Sequence, residues 1–118
     1  MVMKVVSWSI ISLLLCSFVY KTAFQTGKAS YYHNKFEGKR TSSGEVFRQD
    51  SLTAAHKSLP FGTLLRVKNL KNDSIVIVKV NDRLSQNSGH VIDLSLKAAQ
   101  QLNFVQNGIT TVTIEKIN

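Results

Sequence analysis

The chain has 118 residues, fifteen Lys and Arg against seven Asp and Glu, a net charge of +8 and a single cysteine. That length admits one small domain. One thiol excludes an internal disulfide framework, so the fold must be held by its core. The basic surplus attracts polyanions in general, but the cations are scattered singly, without the dense run that marks a nucleic-acid-binding arm.

The first residues are not domain material. Lys4 precedes an almost wholly apolar run over residues 5–20, and Lys21 and a more polar stretch follow it. The run falls short of the roughly 20 apolar residues of a membrane span and fits a secretory signal peptide. A retained N-terminal membrane anchor is the alternative. The expected division is residues 1–25 as signal or anchor and residues 26–118 as the domain, with the mature start between Thr22 and Gly27. Cys16 follows Leu13-Leu14-Leu15, which partly resembles a lipobox. Leu15 is larger than the small residue such sites want, so lipidation at Cys16 is not the favoured reading. Lys4 and Lys21 are the only charged residues of this segment, and its removal leaves +6 of the original +8.

Beyond Gly27 the pattern is one of short strands. Residues 28–32, with paired tyrosines, read as the first strand, and residues 34–44 as a polar loop. Residues 52–56 form a short apolar stretch and Leu59-Pro60-Phe61-Gly62 a turn. Residues 63–69 alternate, with Leu65 and Val67 on one face and Arg66 and Lys68 on the other. A tight polar connection, Lys71-Asn72-Asp73, leads into residues 74–80, which is a hairpin signal. The second arm, residues 75–80, is apolar on nearly both faces and is expected to lie in the barrel's interior layer. Residues 81–89 read as a long polar loop. Ser95 is placed to cap a short helix through Leu102 that packs with Ala98, Ala99 and Leu102. Residues 110–117 alternate and close the chain as a strand. The expected class is mainly β with one short helix.

Several blocks, taken in order, resemble the rare lipoprotein A family. They are Gly27-Lys28-Ala29-Ser30-Tyr31-Tyr32, Thr41-Ser42-Ser43-Gly44-Glu45 and residues 52–63 with Ala54-Ala55-His56 and Leu59-Pro60-Phe61-Gly62-Thr63. Arg66-Val67-Lys68-Asn69-Leu70, Val80-Asn81-Asp82-Arg83 and Ile92-Asp93-Leu94-Ser95 follow, with the Ala98-Ala99 helix behind them. The resemblance implies a six-stranded double-psi β-barrel and endolytic lytic transglycosylation of peptidoglycan, cutting the MurNAc-GlcNAc bond to leave 1,6-anhydro-muramic acid ends. It also implies an exported protein of the periplasm or cell envelope, a monomer whose partner is the glycan strand and not nucleic acid. Leu84-Ser85 after Arg83, His33 after the tyrosine pair and His90 before Ile92 depart from the family's usual residues. A non-enzymatic, expansin-like wall-binding module is the rival reading.

Glycosidic cleavage needs a proton delivered to the leaving oxygen. A lytic transglycosylase manages with one acid/base group, which then takes the proton of the sugar's own 6-hydroxyl. Matched to the family's motifs, Asp82 is the first candidate. Burial at a groove rim would raise its pKa, while the neighbouring Arg83 would lower it. Glu45 is a candidate base or charge stabiliser, and His56 a group that orients the acid or bonds the sugar. Asp93 is the rival acid; its plainer role is local bonding at the start of the Ser95 helix. Of Tyr31 and Tyr32 only one can face the groove; Tyr32 is taken as substrate-binding with Arg83, and Tyr31 as core. His33, His56 and His90 are too scattered for a metal site, and no cofactor motif is present.

Overall fold

The computed structural model describes residues 24–118. Six strands form a closed barrel: β1 (Phe24–Tyr31), β2 (Thr53–His56), β3 (Leu64–Asn69), β4 (Ile75–Arg83), β5 (Ile92–Leu94) and β6 (Thr110–Lys116). Among the described residues there is one α-helix, α1 (Leu96–Gln101), between β5 and β6. The strands run round the barrel in the order β1-β5-β2-β4-β3-β6, with β1–β5 and β2–β4 parallel and the other pairs antiparallel. This is the double-psi barrel the resemblance implies. Among the described residues no helix is long and apolar enough to cross a membrane. Cys16 and most of the expected leader lie outside the described residues. β1 nevertheless starts at Phe24, two residues before the expected domain boundary, and pairs there with Glu115 and Ile114.

Period-two alternation explains the core. Val76, Val78 and Val80 of β4 meet Leu65 and Val67 of β3, Ile92 and Leu94 of β5, and Val112 and Ile114 of β6 inside the barrel, where branched side chains fill the pleated interior. The expectation that β4 is interior on both faces is corrected: Ile75 and Ile77 are 51% and 44% exposed. A strand in a small barrel has one inward face only, and an apolar run does not tell which residues turn out. Asp73, at φ 62°, makes the left-handed corner of the predicted β3–β4 hairpin.

Ser95 caps α1 as expected, its Oγ accepting from the Ala98 N–H at 3.4 Å. The other end of the helix is tied to the barrel by buried Asn69. Its Nδ2 donates to the Leu102 carbonyl at 2.7 Å, and its Oδ1 accepts from Thr110 Oγ1 at 2.8 Å and from the Lys71 N–H at 3.0 Å. With its nitrogen and its oxygen both partnered, this buried amide recovers much of its desolvation cost.

Candidate active site

The site begins with an irregularity in β4. Ala54 pairs with Val80, but Ala55 pairs with Asp82, so Asn81 is the extra residue of a β-bulge. Strict alternation from Val76, Val78 and Val80 would turn Asp82 into the core. The bulge turns it outward instead, to the same side as Ala55. Asp93 is the partner of Ala55 on the other flank of β2, and Ser30 the partner of Asp93 on β1. Ser30, Asp93, Ala55 and Asp82 thus form one row on the barrel's outer surface. The two aspartates are two strand spacings apart, roughly 10 Å between Cα atoms. The expected polar loop from residue 81 therefore starts only after Arg83, because Asn81, Asp82 and Arg83 belong to β4.

Both carboxylate oxygens of Asp82 are occupied. The Tyr32 hydroxyl donates to Oδ2 at 2.6 Å, and the N–H groups of Ser42 and Arg83 donate to Oδ1, each at 2.9 Å. Burial pushes the Asp82 pKa upward, but these donors outweigh it and hold the carboxyl below its ordinary value. Of the two opposed influences expected, the lowering one prevails, carried by these donors. Arg83 lowers the pKa through its backbone N–H. Burial and the Asp82 bond push the Tyr32 phenol far above its usual range, so it remains a donor.

Tyr32 is held by stacking on buried Phe47, with ring centroids 4.2 Å apart, and edge-on against Phe36 at 5.8 Å. Its hydroxyl thereby reaches from the end of β1 to Asp82 on β4, two strands beyond its neighbour β5 in the barrel order. Tyr31 turns the other way, its hydroxyl donating to the Val105 carbonyl at 2.7 Å and its ring edge-on to Phe104. The division of the two tyrosines is as alternation predicts.

The Thr41–Glu45 block forms a self-bonded turn over the end of β4. Thr41 N–H donates to the Glu45 carbonyl and Gly44 N–H to the Thr41 carbonyl, while Gly44 sits at φ 89°, where a side chain would be strained. That turn delivers the Ser42 amide to Asp82, and its Ser43 N–H donates to the Asn81 carbonyl. The Glu45 carboxylate is engaged by Lys79, 2.8 Å from its Nζ. The Lys79 hydrogen bond holds the Glu45 carboxyl below the usual carboxylate range.

Asp93 accepts from Ser30 Oγ and lies 3.6 Å from His90 Nδ1. Its partners are thus on β1 and the preceding loop, not at the helix start. The Arg83 guanidinium stacks on the Phe61 ring, 4.2 Å from its centroid. His56 stands apart. Its cross-strand partner Ile92 points into the core, and its ring lines a different hollow with Gln25, Leu59, Leu65 and Ile114. Nδ1 accepts from the Ser58 and Leu59 N–H groups, both at 3.1 Å, and Nε2 is 2.8 Å from Gln25 Oε1. Nδ1 is therefore unprotonated and Nε2 carries the proton. Burial, aided by the Arg83 and Lys57 charges, lowers the His56 pKa. Only its carbonyl reaches the site, accepting from Arg83 Nη1 at 3.4 Å and from the Leu84 N–H at 3.2 Å.

Asp82, Tyr32 and the Ser42 amide are thus brought together, with Arg83 and Glu45 beside them, Asp93 along the same row, and the His56 ring on the other side of β2. Sequence reasoning missed the Ser42 amide and Phe61. Fold and site define a small double-psi β-barrel domain with a carboxylate row on one outer face.

The family model described as lytic transglycolase matches residues 24–114. The chain belongs to that family. Among its curated relatives is the endolytic peptidoglycan transglycosylase RlpA of Neisseria meningitidis serogroup A, 48% identical over 93 residues, covering 79% of this chain and 39% of the relative. The corresponding protein of Haemophilus influenzae is 43% identical over 98 residues, covering 83% and 34%. A probable one from Aquifex aeolicus is 52% identical over 83 residues, covering 70% and 37%. The chain thus spans little more than a third of the length of these relatives. Among solved structures, a Streptomyces papain inhibitor superposes with a TM-score of 0.66 at 22% identity, covering 81% of this chain and 96% of that one. An expansin of Clavibacter michiganensis gives 0.65 at 21%, covering 81% and 51%. These two likenesses show the fold alone.

Proposed function

We propose that the protein is an exported endolytic transglycosylase that cuts the MurNAc-GlcNAc bond of peptidoglycan strands with Asp82 as the acid/base group. The observation that carries this reading is the bulge at Asn81, which turns a carboxylate out of a well-packed core and surrounds it with three fixed donors. A bulge that re-aims one side chain is a common device beside an active site. The family's relatives, named for this activity, supply the substrate class.

In the reaction, Asp82 gives its proton to the leaving glycosidic oxygen and the C1–O bond breaks. The muramoyl 6-hydroxyl then attacks C1 as positive charge develops there, and its proton passes to Asp82. No water is consumed, and the acid is regenerated. The resting site holds Asp82 ionised, so substrate must restore the proton. A sugar laid against the carboxylate displaces water from it, which raises its pKa. Tyr32 fixes the carboxylate in one orientation. Asp93, with its own partners Ser30 and His90, is the second carboxylate of the row and stabilises the developing charge. Glu45, paired with Lys79, serves at the rim. His56 is a positioning residue: it anchors the Ser58–Leu59 turn through its ring and Arg83 through its carbonyl. The protein acts as a monomer and reaches the envelope through its N-terminal segment, with lipidation at Cys16 not the favoured reading.

The occupation of both Asp82 oxygens by donors favours a second reading, an expansin-like module that binds wall polysaccharide without cutting it. Mass spectrometry of soluble products from peptide-free strands separates the two. Anhydro-muramic ends are the expected result; reducing ends would mean a hydrolase, and binding without products would mean the module.

A further inference from the structure

Phe61 has no role in the core and none in the carboxylate cluster, yet it is held in place as firmly as either. It occupies the first corner of a turn in which the Thr63 N–H donates to the Pro60 carbonyl at 3.1 Å. Gly62 supplies the positive φ of 91° that the second corner requires. Thr63 Oγ1 also donates to the Pro60 carbonyl at 2.6 Å, and the Gly62 N–H ties the turn to the Val80 carbonyl of β4 at 2.8 Å. This geometry leaves Phe61 43% exposed. An aromatic side chain left in water at a fixed corner forgoes much of the burial free energy that such a ring gains in a core.

The Arg83 guanidinium lies against the ring and restricts it further. In front is an open cleft of about 290 Å³ lined by Phe61 together with Ser43, Glu45, Gly62 and Lys79. Asp82 is linked to this cleft through the chain: Arg83, which stacks on Phe61, follows it in β4, and Ser42, whose amide binds it, precedes the lining residue Ser43. The cleft therefore combines an apolar plate with a hydroxyl, a carboxylate and an ammonium around it. This combination suits a pyranose, which presents a face of C–H bonds to stack and a rim of hydroxyl and acetamido groups to bond.

We propose that Phe61, backed by Arg83, is the platform of a second sugar subsite. It stacks one N-acetylated pyranose of the glycan strand next to the sugar at Asp82 and sets where along the strand the cut falls. The proposal rests on the glycan-binding reading of the site but not on its catalytic part. Binding of one sugar at Phe61 holds the neighbouring bond against the carboxylate, so its loss raises KM more than it lowers kcat.

The test uses the whole protein and a peptide-free peptidoglycan tetrasaccharide, with binding followed by NMR and cleavage by product analysis. Titration is expected to shift the Phe61 ring resonances. Phe61→Ala is expected to weaken binding roughly tenfold, the equivalent of about 1.4 kcal/mol, and Phe61→Trp to restore it. Phe61→Leu keeps apolar bulk without the flat face, and weak binding by this variant at unchanged thermal stability sets stacking apart from damage to the turn. Unshifted Phe61 resonances, or wild-type binding by Phe61→Leu, would overturn the proposal. Strong Phe61 shifts without any cleavage would support the subsite while sinking the transglycosylase reading.

Discussion

Tyr32 and Asp82 lie on opposite sides of β5 and β2 in the barrel order, yet the phenol of one donates to Oδ2 of the other at 2.6 Å. The bond clamps a side chain from the end of β1 over the sheet onto a carboxylate turned outward by a bulge. It also favours the ionised form of Asp82 and so affects the proton economy of the site directly.

Removing that donor has a definite direction. Tyr32→Phe keeps the stack on Phe47 but takes away a hydrogen bond that stabilises the carboxylate, so the Asp82 pKa rises. If Asp82 is the proton donor, the alkaline limb of the pH–rate profile moves to higher pH. An unmoved limb in Tyr32→Phe would detach the acid role from Asp82.

Gly27 tests the packing of the barrel's seam. A β-carbon there would stand 2.4 Å from Val91 Cγ1, and Val91 is fixed by its N–H bond to the Lys28 carbonyl at 2.8 Å. Gly27→Ala is expected to lower stability by about 1–3 kcal/mol, the usual range for overpacking. Adding Val91→Ala should restore part of it. Chemical denaturation of the single and double variants reads both effects, and an unaltered single variant would refute the contact.

His56 makes stability depend on pH in a stated sense. Its native pKa lies below the ordinary 6.5 because burial disfavours the charged ring, and protonating Nδ1 would forfeit the bonds from Ser58 and Leu59. As the pH falls through the unfolded value, the unfolded chain takes up a proton that the native chain refuses. The stability is complete above that value and declines below it until the native pKa is reached. His56→Gln should flatten the slope of unfolding free energy as the pH falls below the ordinary histidine value of 6.5, whatever it does to the absolute value. A slope as steep as wild type would mean that the histidine is not the group responsible.

The parts of this arrangement that the sequence makes legible are those with a periodic or local signal. Leu65 and Val67 against Arg66 and Lys68 declare a one-faced strand, Ser95 declares a helix start, and the adjacent tyrosines must diverge across β1. Other features carry no such signal. The Ser42 donor is a backbone amide, which any residue possesses. The bulge at Asn81 inverts the inward–outward sense of Asp82, and one extra residue in a strand looks like the start of a loop. Ile75 and Ile77 are as apolar as the valines between them, so pattern alone does not separate the face that looks outward. His56 sits in a block with strong family resemblance, but only the cross-strand register, with buried Ile92 opposite, tells that its ring turns inward.

Asp82→Asn measures the central claim most directly. The amide keeps one acceptor oxygen for the Ser42 and Arg83 N–H groups but can neither give nor take the catalytic proton. With the variant shown to be folded and to bind peptide-free glycan strands, formation of anhydro-muramic ends should fall by at least a hundredfold, the lower end of what acid–base catalysis contributes. Wild-type rates of anhydro-end formation by this variant would contradict the account and remove the acid/base role from Asp82.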